Sequence, residues 1–188
     1  MTALHVLAAI AAISLPALAQ IPPAQAPSAQ PSPTQPLLHL TATFDFIVQA
    51  PIAKAAPMFG PEGERSWAGK HWNPEFLHPQ PAQDVEGAVF TIQHGPIKAV
   101  WVNTLFDLDA GRFQYVYFLP DIMVTTIDVR LNPNGENSTK VNVQYTRTAL
   151  TPEGNEHVTA MSEADKSAGK EWEQSINESL ASSKSKKQ

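Results

Sequence analysis

Residues 139–180 read TKVNVQYTRTALTPEGNEHVTAMSEADKSAGKEWEQSINESL, and the hydrophobic period changes once within them. Before Leu150 the residues alternate. Val141, Val143 and Tyr145 fall on one side and Asn142, Gln144 and Thr146 on the other, which is the period of a half-buried strand. After Pro152 the apolar residues step by three or four: Val158, Met161, Ala164, Ala168, Trp172, Ile176 and Leu180 form one stripe, with Lys and Glu over much of the opposite face. This predicts a strand followed by a terminal helix of about twenty-five residues, long enough to span a sheet. Its alanines at mid-stripe imply room beneath it.

Upstream, strand signals recur at 38–48, 87–93, 97–107, 112–119 and 123–131. The turns Asp109-Ala110-Gly111, Pro120-Asp121 and Asn132-Pro133-Asn134-Gly135 are short, so the strands they join are antiparallel neighbours. Between the first two strands, residues 50–59 carry Ile52, Ala55, Ala56 and Phe59 on a helical face that Pro57 keeps short. Residues 60–84 are rich in Gly, Pro, Trp and His without a sustained period. They read as a long loop with a short strand near Phe76, and a loop of this length inside a compact domain is commonly functional. The expected fold is α+β: a curved antiparallel sheet of six or seven strands wrapped around a long C-terminal helix, with two short helices after the first strand, the helix-grip arrangement.

The flanks differ in kind. Residues 1–19 have an apolar core from Val6 to Leu18, too short to span a membrane, and end in the small-x-small pattern Ala17-Leu18-Ala19. They read as a cleavable signal peptide, which places the mature chain in the periplasm or outside the cell. Residues 20–36, of Pro, Gln, Ala and Ser around Ile21 and Thr34, bury too little surface to offset their ordering entropy and read as a tether. Residues 37–181 form the domain, and 182–188 a basic tail.

Composition excludes several classes of function. With no cysteine there is no disulfide, thiolate metal site or Cys nucleophile. A formal net charge of -5, with the only basic cluster in the tail, argues against nucleic acid. His71 and His78, separated by Pro74 on an irregular loop, match no metal-ligand spacing, and His94 is remote in sequence. Nothing points to a cofactor.

The body of the chain, from about Leu38 to Leu180, resembles the START-related, birch-pollen-allergen-like superfamily labelled SRPBCC, which includes polyketide cyclase-like proteins. Within it the chain is similar to a bacterial subgroup through residues 59–68 (FGPEGERSWA), 72–76 (WNPEF), 86–91 (EGAVFT), Trp101, Tyr145-Thr146, Ala149-Leu150 and Gly154-Asn155. Lys70-His71 departs from the Gly that the subgroup more often carries before Trp72. The resemblance implies a cavity between sheet and helix able to hold an apolar molecule, in a superfamily that ranges from lipid carriers to cyclases.

Eight residues are candidates for that site: Glu64, Arg65, Trp67, Trp72, Trp101, Tyr115, Tyr145 and Arg147. An Arg at a cavity can clamp an acidic head while indoles supply flat apolar walls. Glu64 and Arg65 can equally brace the loop, and Trp67, Trp72 and Trp101 can equally be core. Arg147 shares the inward side of its strand with Tyr145, where a charge must be paired with an acid or used on a ligand. Tyr115, Tyr117 and Tyr145 offer hydroxyls or simple packing. The leading expectation is an exported binding module for a small hydrophobic or amphipathic molecule with a polar or acidic head near Arg65 or Arg147. A cyclase or aromatase using Glu64 with a Tyr, and an envelope protein that binds another protein, are the alternatives. No catalytic or metal-binding residue is assigned.

Overall fold

The computed structural model describes residues 35–185; the segment read as a signal peptide, nearly all of that read as a tether and the last three residues of that read as a tail lie outside them. The elements run β1 (His39–Val48), α1 (Ile52–Ala55), a 3-10 turn (Ala56–Phe59), α2 (Pro61–Glu64), β2 (Glu75–His78), β3 (Val89–His94), β4 (Ile97–Asp107), β5 (Arg112–Leu119), β6 (Met123–Pro133), β7 (Thr139–Ala149) and α3 (Gly154–Ser185). One seven-stranded antiparallel sheet has the order β1-β7-β6-β5-β4-β3-β2. Consecutive strands from β2 to β7 are neighbours, as their short connections require, and β1 closes the far edge by pairing with β7. The result is a curved sheet around a long C-terminal helix, the helix-grip fold.

The alternation in the sequence becomes the two faces of the sheet. Phe113, Tyr115, Tyr117 and Leu119 of β5, Met123, Thr125, Ile127, Val129 and Leu131 of β6, and the odd-numbered residues of β7 are all buried on the face that receives α3. Strand register stacks these residues into rows across the sheet. Tyr145, Ile127, Tyr115 and Asn103 make one row; Arg147, Thr125, Tyr117 and Trp101 make the next, about 7 Å further along the strands. Adjacent rows serve different purposes, as the site shows.

α3 departs from the expected helix in three respects. It is 32 residues long, running through the segment read as tail up to Ser185. Its inward line passes through Val158, Asp165, Gly169 and Ile176, all buried, whereas Ala164 is exposed. Nor does the small residue at mid-helix leave space: a Cβ on Gly169 would stand 3.1 Å from Phe44 Cδ2 and 3.3 Å from the Asp45 carbonyl oxygen. Gly169 lets the helix press onto β1, so room exists only beside that contact. Side chains of α3 then close the sheet edge that β1 would otherwise leave open. Glu173 accepts from the Ile47 N–H (3.3 Å) and Asn177 accepts from Gln49 N–H (2.7 Å) while donating to the Ile47 carbonyl (3.0 Å). Among the described residues no helix is long and apolar enough to cross a membrane.

Candidate functional site

The second short helix lies in the stretch expected to be loop, and its placement depends on two glycines. A Cβ on Gly60 would fall 2.1 Å from the Asp84 carboxylate, and one on Gly63 would fall 1.9 Å from the Pro57 carbonyl oxygen. Without side chains there, α2 packs directly on the preceding turn. Asp84 accepts from the N–H groups of Glu62 (2.8 Å) and Gly63 (3.1 Å) and anchors the helix start. The following strap is pinned by Arg65, which donates to Glu62 Oε1 (2.8 Å), Asn73 Oδ1 (2.9 Å) and the Pro74 carbonyl (2.5 Å). Trp67 Nε1 donates to the Met58 carbonyl (2.7 Å) and Trp72 Nε1 to the Pro61 carbonyl (2.8 Å). Both indoles therefore have fixed ends, leaving their rings as walls.

Between this strap, strands β4 to β7 and α3 lies a cavity of ≈ 380 Å³. All four tryptophans of the chain line it: Trp67, Trp72, Trp101 and Trp172. They meet as two edge-to-face pairs, Trp67 with Trp172 at 5.1 Å between ring centroids and Trp72 with Trp101 at 5.4 Å. The row Tyr145, Ile127 and Tyr115 lies along the sheet side, and the exposed Gly69 and Glu171 mark the mouth. Two carboxylic acids, Glu64 and Glu171, belong to the lining, and no Lys, Arg or His does.

Glu64 decides the character of the interior. It is 8% exposed, and no described residue forms a hydrogen bond or ion pair with its carboxyl. Burial, and next the neighbouring Asp84 carboxylate, holds that carboxyl well above the usual carboxylate range. Asp84 is itself raised by burial, against the lowering effect of its two backbone hydrogen bonds. The strand tyrosines differ from one another: Tyr115 donates to the Phe59 carbonyl, Tyr117 donates to Met161 Sδ at 3.7 Å, and the Tyr145 hydroxyl has no hydrogen-bond partner among the described residues. Burial first, then Glu64, keeps the Tyr115 and Tyr145 hydroxyls protonated.

Of the eight residues singled out in the sequence, Glu64, Trp67, Trp72, Trp101, Tyr115 and Tyr145 line the cavity. Neither arginine does. Arg65, exposed where its neighbour Glu64 is buried, lies outside as the strap's brace. Arg147 sits one row beyond Tyr145, where its guanidinium meets both carboxylate oxygens of Asp165 on α3 and lies 4.3 Å from the Tyr145 ring centroid. An acidic head near either arginine is therefore not what this cavity provides for. Trp172, Glu171, Ile127 and Val129 also line it and were not singled out. Trp172 carried a signal, being the one large aromatic residue in the helical stripe. Asp165 carried another, as an acid three or four residues from Met161 and Ala168 in the same stripe.

A seven-stranded helix-grip domain with an aromatic cavity between sheet and helix is thus the class of structure that the fold and the site define. No family model matches the sequence, and no curated protein matches it. Solved structures do match by shape. Norcoclaurine synthase from Thalictrum flavum, solved with dopamine and hydroxybenzaldehyde, aligns at TM-score 0.51 and 10% identity over 72% of this chain and 86% of its own. Ara h 8.0201 aligns at TM-score 0.51 and 14% identity over 73% and 97%, and the protein XoxI from Bacillus cereus at TM-score 0.56 and 12% over 72% and 94%. The chain has the Bet v 1-like, START-related (SRPBCC) fold.

Proposed function

We propose that the domain is a binding module, exported to the periplasm or secreted, that holds one small hydrophobic or amphipathic molecule between the sheet and α3. One observation carries this reading: four tryptophans and two tyrosines converge on a cavity of ≈ 380 Å³, within the size range of small-molecule sites. Rings spent on lining a space, when they could fill it, are a cost in packing that an occupant recovers. The fold is compatible with this use, because curvature of the sheet and the single helix leave a gap that side chains need not close.

A second reading, an enzyme of the cyclase type, has a specific observation in its favour. Glu64 and Tyr145 both reach the cavity without hydrogen-bond partners, and an acid held protonated by burial can donate a proton to a bound substrate. Native mass spectrometry of the purified protein, with tryptophan emission followed on extraction and re-addition of whatever copurifies, tests binding directly. A bound small molecule whose removal shifts the emission is the expected result. A protein that is unliganded as isolated and whose emission is unmoved by any apolar amine, alcohol or acid would overturn the binding reading.

A further inference from the structure

The lining has a sign. Six aromatic residues, Trp67, Trp72, Trp101, Trp172, Tyr115 and Tyr145, surround the space, the acids Glu64 and Glu171 belong to its lining, and no cationic residue does. The two arginines nearest in sequence are already engaged elsewhere, Arg65 on the outer side of the strap and Arg147 in its pair with Asp165. A ligand carboxylate or phosphate would meet two acids and the negative faces of indoles. A cation would meet the reverse: ring faces attract positive charge, most strongly those of Trp, and a buried carboxyl without a partner, giving up its proton as the cation enters, becomes the counter-ion.

We propose that the cavity selects an organic cation, a protonated amine on an apolar body, with Glu64 as its counter-ion, the Tyr145 hydroxyl as a hydrogen-bond acceptor beside it and the four indoles as its walls. This rests on the reading of the cavity as a binding site and names the head group it takes. Glu64 stands deep in the lining and Glu171 at the exposed mouth, so an entering cation meets a first acid in solvent and a second in the interior. The apolar body lies against Ile127 and Val129 on the sheet. Three buried groups of the lining have no hydrogen-bond partner among the described residues, the Glu64 carboxyl, the Tyr145 hydroxyl and Trp101 Nε1; only the first two can accept from an ammonium, so the head is placed between them.

Three probes of one shape separate the alternatives: 4-phenylbutylamine, 4-phenylbutanol and 4-phenylbutyrate, titrated against the full-length mature chain at neutral pH and followed by tryptophan emission. The amine should bind at least about tenfold tighter than the alcohol, and the butyrate weakest of the three. Glu64→Gln should abolish the preference for the amine while the variant still binds the alcohol and keeps a cooperative thermal transition, which shows that it is folded. Tyr145→Phe should reduce the preference less. Equal binding of amine and alcohol would overturn the cation assignment and leave the binding module standing, as would tightest binding of the butyrate. No binding of any probe would overturn both. Retention of the full amine preference in Glu64→Gln would remove Glu64 as the counter-ion.

Discussion

Two carboxylic acids are buried among the described residues, Glu64 and Asp165, and they are treated in opposite ways. Asp165, 7% exposed, comes down from α3 onto Arg147 and is met by both ends of a guanidinium. Glu64, 8% exposed, comes off a one-turn helix into a space walled by indoles and is met by no hydrogen-bond donor or cation among the described residues. The first carboxylate has been desolvated for the benefit of the fold: it specifies where α3 lies against β7. Glu64 has no such return among the described residues, and in the reading proposed above a molecule in the cavity supplies it. A buried acid with a partner describes architecture; one without a partner marks a candidate site.

The sharpest way to break this contrast is to remove Asp165. Asp165→Ala leaves Arg147 buried with no counter-ion and should cost about 3–5 kcal/mol in urea unfolding, a large share of the stability of a domain this size. Replacing both partners, Arg147→Met with Asp165→Leu, should recover most of the loss, because neither charge is then stranded. If the single variant lost under about 1 kcal/mol, the pair would not be anchoring the helix and Asp165 would rank with Glu64 as a candidate for the site.

Much of the fold was legible because strand and helix periods are global properties of their segments. β4 and β5 fall on the expected residues, and β1, β3, β6, β7 and the start of α3 within two. The inward line of α3 was harder to read. Steps of three and four allow several lines through the same residues, and a line drawn on hydrophobicity chose Ala164 over Asp165 although the partner of Asp165, Arg147, was already recognised as inward-facing. The site shows the same limit at shorter range. Tryptophans in an unperiodic loop identified the strap, but Glu64 and Arg65 are adjacent, and only the packing of Gly60 and Gly63 against Asp84 and Pro57 determines which of them turns inward. One of those contacts spans the loop from Gly60 to Asp84 and the other ties Gly63 back to the preceding turn, where sequence carries no period to read.

A gentler test acts on Glu64 through pH. Its folded-state pKa is raised by burial and by Asp84, so between the ordinary carboxylate range and that raised value the unfolded chain has released a proton that the native state still holds. Fewer protons on the unfolded chain mean that stability falls as pH rises across this window, and it is fully retained only below the unfolded pKa. Glu64→Gln has nothing to titrate. Its melting temperature should therefore exceed that of the native protein by more near about pH 8 than near about pH 4, with Asp84, also raised, leaving a residual slope of the same sign in the variant. Identical slopes in the two proteins would mean that Glu64 is not the isolated buried acid described here.

The smallest expected effect falls on the residue next door. Arg65 makes three hydrogen bonds, yet its side chain and that of its acidic partner Glu62 are 38% and 39% exposed, so solvent screens the pair. Arg65→Ala should lower stability by about 1 kcal/mol through loss of the brace to Asn73 and Pro74. It should leave the affinity for a cavity ligand unchanged within about twofold, since Arg65 touches no part of the lining. Measured beside Glu64→Gln, it separates two roles that one step in sequence places together. A charge on the outer side of the strap changes how firmly the wall is held, and a charge on the inner side changes what the wall will accept. Should Arg65→Ala weaken a ligand as much as Glu64→Gln does, the strap would move on binding, and its bracing and recognition would be a single device.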